Sequence, residues 1–154
     1  MWERLKRFNA LAQPAQRLFL RAIFLLPMVA LSLRWRGFRK TQAMLERFLS
    51  NKSGEKDSAE ASERAALTAH MVSVADRYGL FHPSCLAKSL TLWWLLRRQG
   101  IAADLRIGIQ KENEQFAAHA WVERNGIALN EPEEHHRHYA AFDAALSSMS
   151  PDGQ

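Results

Sequence analysis

Ser84-Cys-Leu-Ala-Lys-Ser-Leu-Thr-Leu-Trp-Trp-Leu-Leu-Arg-Arg-Gln-Gly100 decides the fold. Leu86, Leu90 and Trp93 recur at spacings of four and three, which predicts a helix that begins at Cys85 and is capped by Ser84, with Pro83 supporting the start. Arg97 and Arg98 fall in the last turn, where cations complement the helix dipole, and Gly100 stands just beyond, where a left-handed residue is cheap. The first residue of this helix is the only cysteine of the chain. A thiol at a helix start meets backbone N–H groups without intrahelical partners and the positive end of the dipole. Both stabilise the thiolate, the form that attacks carbonyls, and the same N–H groups can hold an oxyanion.

A thiol nucleophile needs a base. Phe116, Ala118, Ala120 and Val122 alternate with Ala117, His119, Trp121 and Glu123, so His119 leaves a strand on the face opposite Val122. Asn125-Gly126 signals a hairpin, with Ile127 to Glu131 as the returning strand. Two registers are open. A two-residue loop pairs 124 with 127 and puts Asn130 on the His119 face; a three-residue loop, Arg124-Asn125-Gly126, pairs 123 with 127 and sets Glu131 opposite His119. Either side chain can orient an imidazole and support its protonated form.

The run from Cys85 to Ile101, then Leu105-Arg-Ile-Gly-Ile, Ala118-His-Ala-Trp-Val-Glu, Gly126 and Leu129-Asn-Glu resembles the transglutaminase-like leader peptidase of lasso-peptide biosynthesis. The resemblance covers residues 60 to 135 and, more loosely, the N-terminal helices. It implies a papain-like triad with Cys85 as nucleophile, His119 as base and Glu131 as the acidic member, which favours the three-residue loop. The family usually carries aspartate there, so glutamate is a departure of one methylene. The resemblance also implies a lasso precursor peptide as substrate, a small leader-recognition protein that presents it, and an asparagine-synthetase-like cyclase that receives the freed core.

With 154 residues and 47% apolar residues the chain suits one compact domain with appended helix. A lone cysteine rules out an internal disulfide and fits a reducing, cytoplasmic compartment. The competing reading is a buried, inert cysteine; the helix-start position weighs against it.

The net charge of +5 sits at one end, because residues 1 to 40 hold nine Lys/Arg and a single acid, Glu3. The uninterrupted apolar run Ala22 to Leu33 is 12 residues, short of the roughly 20 that span a bilayer. A secretory signal is disfavoured by the long basic segment, Pro27 and the arginines that follow. A helical pair or kinked helix is expected, with Leu18, Ala22, Leu25 and Leu26 facing a core. With Trp2, Trp35 and Phe38 near its ends it suits peripheral contact with an anionic membrane about as well as a solvated charged face. Nucleic-acid binding is not expected, since no zinc spacing or nucleic-acid motif accompanies the charge.

Residues 1–50 thus read as a basic helical segment, 51–57 as a linker, 58–146 as the peptidase domain and 147–154 as a frayed tail. Leu67, Met71, Val74 and Tyr78 predict one helix face before Gly79, with His70 on the surface. Leu105, Ile107 and Ile109 predict a strand, giving a three-stranded antiparallel meander on the Cys85 helix. His82, three residues before Cys85, is placed to influence the thiol or touch substrate, as is Ser84. Trp121 shares the His119 face and can shield the imidazole, contact a peptide or simply pack, while Trp93 reads as core. His135, His136 and His138 beside Glu133 and Glu134 fit no zinc pattern, so neither metal nor cofactor is expected. Tyr139, Phe142 and Leu146 suggest a closing helix.

The expectation is an α+β, transglutaminase-like or papain-like cysteine peptidase that releases a leader through a thioester. A Cys-dependent acyl transferase and a non-catalytic membrane- or partner-binding scaffold are the alternatives.

Overall fold

The chain places its long apolar run first. The structure, a computed structural model, describes residues 12–49, 58–79, 83–112, 115–130 and 140–141. Helix α1 covers Gln13–Arg47, α2 Ala59–Tyr78 and α3 Cys85–Arg98; strands β1 Asp104–Glu112, β2 Gln115–Arg124, β3 Ile127–Ala128 and β4 Ala140–Ala141 form one antiparallel sheet in the order β3-β2-β1-β4. The linker residues 51–57, His82, Glu131, the histidine-rich segment, Tyr139, Phe142, Leu146 and the tail lie outside the described residues.

The expected kink of α1 falls elsewhere. Backbone angles stay helical through Pro27 and break at Gly37, with φ 75° and ψ 175°, a region that a Cβ disfavours. Thr41 Oγ1 donates to Gly37 O at 2.8 Å and lies 2.9 Å from Ser32 Oγ, stitching the two arms across the bend. Because Pro27 and Arg21 do not end the helix, α1 is long and apolar enough to cross a membrane by length and composition, contrary to the estimate from the 12-residue run. Its inner face, Leu18, Ala22, Leu25 and Leu26 with Ala15 and Val29, is buried as expected.

Helix α2 is capped by Ser58, whose side chain accepts the Ala61 N–H, and ends at Gly79. The expected face forms in part: Met71 is buried with Ala15 and Leu18, Leu67 and Val74 pack against them, and Tyr78 is 53% exposed. The side that joins the main core is Ala65, Ala69, Val72 and Ala75. Small side chains let helices approach closely, and a reading by large apolar residues overlooks that contact.

Helix α3 begins and ends where its sequence predicts. Gly100, at φ 79°, donates to Arg97 O at 3.0 Å and Ile101 donates to Leu96 O at 3.0 Å, a Schellman ending. Leu90, Trp93 and Leu96 of α3, Leu45 of α1, and Leu105 and Val122 of the sheet share one core with the inner face of α1, so the N-terminal helices and the sheet pack around the same apolar centre.

Two expectations about the sheet are corrected. Asn125 at φ 51° and Gly126 at φ 78° make a two-residue type I′ turn, pairing Arg124 with Ile127 and Glu123 with Ala128. The three-residue loop does not form, because Asn and Gly both tolerate positive φ and the I′ twist matches that of the flanking strands. The returning strand is also only two residues long and bends after Ala128. Ala140 and Ala141, expected in a closing helix, instead pair with Ile109 and Gly108, covering part of the open edge of β1.

Candidate functional site

Ser84, in extended conformation, accepts the Ala87 N–H on its side chain at 3.3 Å and the Lys88 N–H on its carbonyl at 3.1 Å. Helix geometry then leaves the N–H groups of Cys85 and Leu86 without intrahelical partners. The Cys85 side chain sits at this end, half-buried. One turn on, Lys88 pairs with Asp76 of α2 at 3.2 Å; both groups are partly exposed, so the pair is worth under about 1 kcal/mol.

His119 is half-buried on β2, directly opposite Gly108 of β1, which has no side chain to set against the ring. Trp121, two residues on along the same face, stacks with it at 6.2 Å between ring centroids and 18° between planes. Trp121 is 2% exposed, so its ring covers one side of the imidazole and presents almost no surface of its own. Arg106, paired with Trp121 across the ladder, lies 3.7 Å from Glu123.

What joins α3 to β2 is a chain of three hydrogen bonds. Ser89 Oγ donates to Ala120 O at 2.8 Å, Asn130 Nδ2 donates to Ser89 Oγ at 2.9 Å, and the Val122 N–H donates to Asn130 Oδ1 at 2.8 Å. Beyond the short ladder with β3, the edge of β2 is therefore held at Ala120 by α3 and at Val122 by the Asn130 amide. Ala120 follows His119 directly, and Ser89 lies one helical turn, about 6 Å, from Cys85. The link thus ties α3, one turn from Cys85, to the edge of β2 next to His119, whose side chain leaves the strand on the face opposite Val122. Sequence reasoning missed Ser89; its signal is a lone hydroxyl on an otherwise apolar, buried side of α3. Asn130, considered as an orienter of His119, spends its amide on Val122 and Ser89.

Trp93 is buried in the core beneath Arg97, as expected. Trp94 donates from Nε1 to Leu45 O at 2.9 Å, tying α3 to the second arm of α1. Among the described residues no group of three or more His, Cys, Asp or Glu side chains is placed to hold a metal ion.

The fold defines the class: an α+β domain in which a helix that starts at a cysteine packs on a small antiparallel sheet. The family model of the Transglutaminase-like superfamily matches residues 25–142, from the middle of α1 through β4. The chain belongs to the transglutaminase-like superfamily, whose members are typically cysteine-dependent enzymes. No curated protein and no solved structure matches it.

Proposed function

We infer that this protein is a cysteine peptidase that cuts the leader from a lasso precursor peptide and releases the core for an asparagine-synthetase-like cyclase, with a leader-recognition protein presenting the substrate. The observation that supports the reading is the Ser89–Ala120 hydrogen bond of 2.8 Å, which ties the helix that starts at Cys85 to the strand that carries His119. Cys85 Sγ attacks the scissile carbonyl, and the N–H groups of Cys85 and Leu86 receive the oxyanion. His119 takes the thiol proton and gives it to the leaving amine; the resulting thioester is hydrolysed by a water that His119 deprotonates. Glu131 is assigned as the residue that orients His119 on the strength of the resemblance alone, without the three-residue register that would have set it opposite His119.

The test is incubation of the full chain with a lasso precursor and its leader-recognition protein, read by mass spectrometry. Hydrolysis gives two fragments whose masses sum to the precursor plus one water. Cys85→Ala should abolish them, His119→Ala should lower the rate by about 10²–10⁴-fold, and Glu131→Gln should lower kcat more than KM. Cleavage by Cys85→Ala at the wild-type rate would end the proposal. Transfer of the acyl group to an added amine in place of water would assign the same thioester to an acyl transferase.

A further inference from the structure

The outer face of α1 carries a feature that the core does not use. At about 100° per residue the buried positions Ala15, Leu18, Ala22, Leu25, Leu26 and Val29 cluster on one side of the helix. Leu20, Phe24, Met28, Leu31 and Trp35, spaced by four, four, three and four, fall on the opposite side, and all five are exposed, Phe24 by 75% and Trp35 by 77%. A helix at a protein surface ordinarily puts polar residues there. The stripe runs about 22 Å at 1.5 Å per residue. Beside it lies a groove of about 660 Å³ between Leu20, Phe24 and Met28 on one wall and Trp94 and Arg98 on the other.

Charge selects the occupant. No acid occurs between Glu3 and Glu46, and the exposed Arg17, Arg21 and Arg34 flank the stripe at its two ends. Arg98, lying 5.0 Å over the Trp94 ring, adds a cation from a second element. A second copy of the chain packed stripe to stripe would set arginine against arginine, with no carboxylate along the stripe on either helix to offset them, Glu46 lying beyond the Gly37 bend. A protruding ridge of Leu, Phe, Met and Trp bounded by arginines has the composition that inserts into a headgroup layer.

We propose that the outer face of α1 seats this protein on an anionic lipid surface, its apolar stripe entering the boundary of headgroups and acyl chains while Arg17, Arg21, Arg34 and Arg98 meet lipid phosphates. The helix lies in the membrane plane and does not cross it, because its inner face belongs to the core with α2 and α3. This inference does not rest on the peptidase reading.

The experiment is co-sedimentation of the full chain with vesicles of phosphatidylcholine alone and of equal parts phosphatidylcholine and phosphatidylglycerol. Binding to the anionic vesicles should be at least tenfold tighter, and raised salt should weaken it. Phe24→Ser with Met28→Ser, and separately Arg17→Glu with Arg21→Glu, should each lower affinity tenfold or more while leaving the melting temperature unchanged, since all four side chains are exposed. Cys85→Ala should bind as the wild type does, which separates this result from the peptidase test. Equal binding to both vesicles, undiminished binding by the paired variants, or bound protein that only detergent releases would overturn the proposal. So would lipid-free self-association, or capture of an acidic protein, that the same variants abolish in a chain with no affinity for vesicles.

Discussion

Asn130 and Ser89, one just past a hairpin and the other in the second turn of a helix, share a hydrogen bond of 2.9 Å that fixes how α3 meets β2. The Ser89 hydroxyl has one proton, spent on Ala120 O, so toward Asn130 it can only accept. The amide suits both neighbours: its NH₂ faces Ser89 and its oxygen takes the Val122 N–H.

Asn130→Asp is therefore not a conservative change. The carboxylate still accepts from Val122 but sets an oxygen against the Ser89 lone pairs, and Asn130→Ala leaves the Val122 N–H unmet. Each should cost ~1–3 kcal/mol, read as a fall in melting temperature of about 2–4 °C per kcal/mol for a chain of this size. A melt within 1 °C or so of wild type for both variants would remove the role assigned to this bond.

Ser89→Ala breaks two of the three bonds in the same link and should destabilise by ~1–3 kcal/mol. It should also lower kcat more than KM for peptide cleavage, because the hydroxyl positions α3 against β2 and touches no substrate. Loss of stability with kcat unchanged would show that the link holds the fold without setting the site.

Gly37, at φ 75° and ψ 175°, lets α1 bend, and Gly37→Ala should cost ~1–3 kcal/mol in strain. Space is not the reason, since no atom lies within 4 Å of where the Cβ would stand. Thr41, fully buried, donates to Gly37 O, so Ser32 is the donor in the second contact. Thr41→Val leaves both groups unpaired and should lower the melting temperature as well, whereas Gln42→Ala, on the partly exposed side, should not. Urea or thermal melts of the three variants check the order.

Gly126→Ala tests the hairpin. At φ 78° an added Cβ costs ~1–2 kcal/mol, while Asn125→Gly keeps the turn type and should change stability by well under that amount. If Gly126→Ala were silent, the two-residue register would be in doubt.

Amino-acid order alone fixed features whose causes lie within a few residues. Ser84 and Gly100 bound α3, Ser58 and Gly79 bound α2, and Asn125-Gly126 turns the hairpin, because capping hydroxyls and residues tolerant of positive φ act on their immediate backbone. The inner face of α1 was readable for the same reason, since helical spacing alone groups Leu18, Ala22, Leu25 and Leu26. Packing across the molecule decided the rest. Which of two loop lengths the hairpin takes, whether α1 bends at Pro27 or Gly37, that Ala140 and Ala141 join the sheet, and that Asn130 bolts α3 to β2 depend on groups far apart in the chain finding one another, and no local spacing encodes those distances. Both sides of α1 are apolar, and only the assembled core shows that one of them is left facing outward.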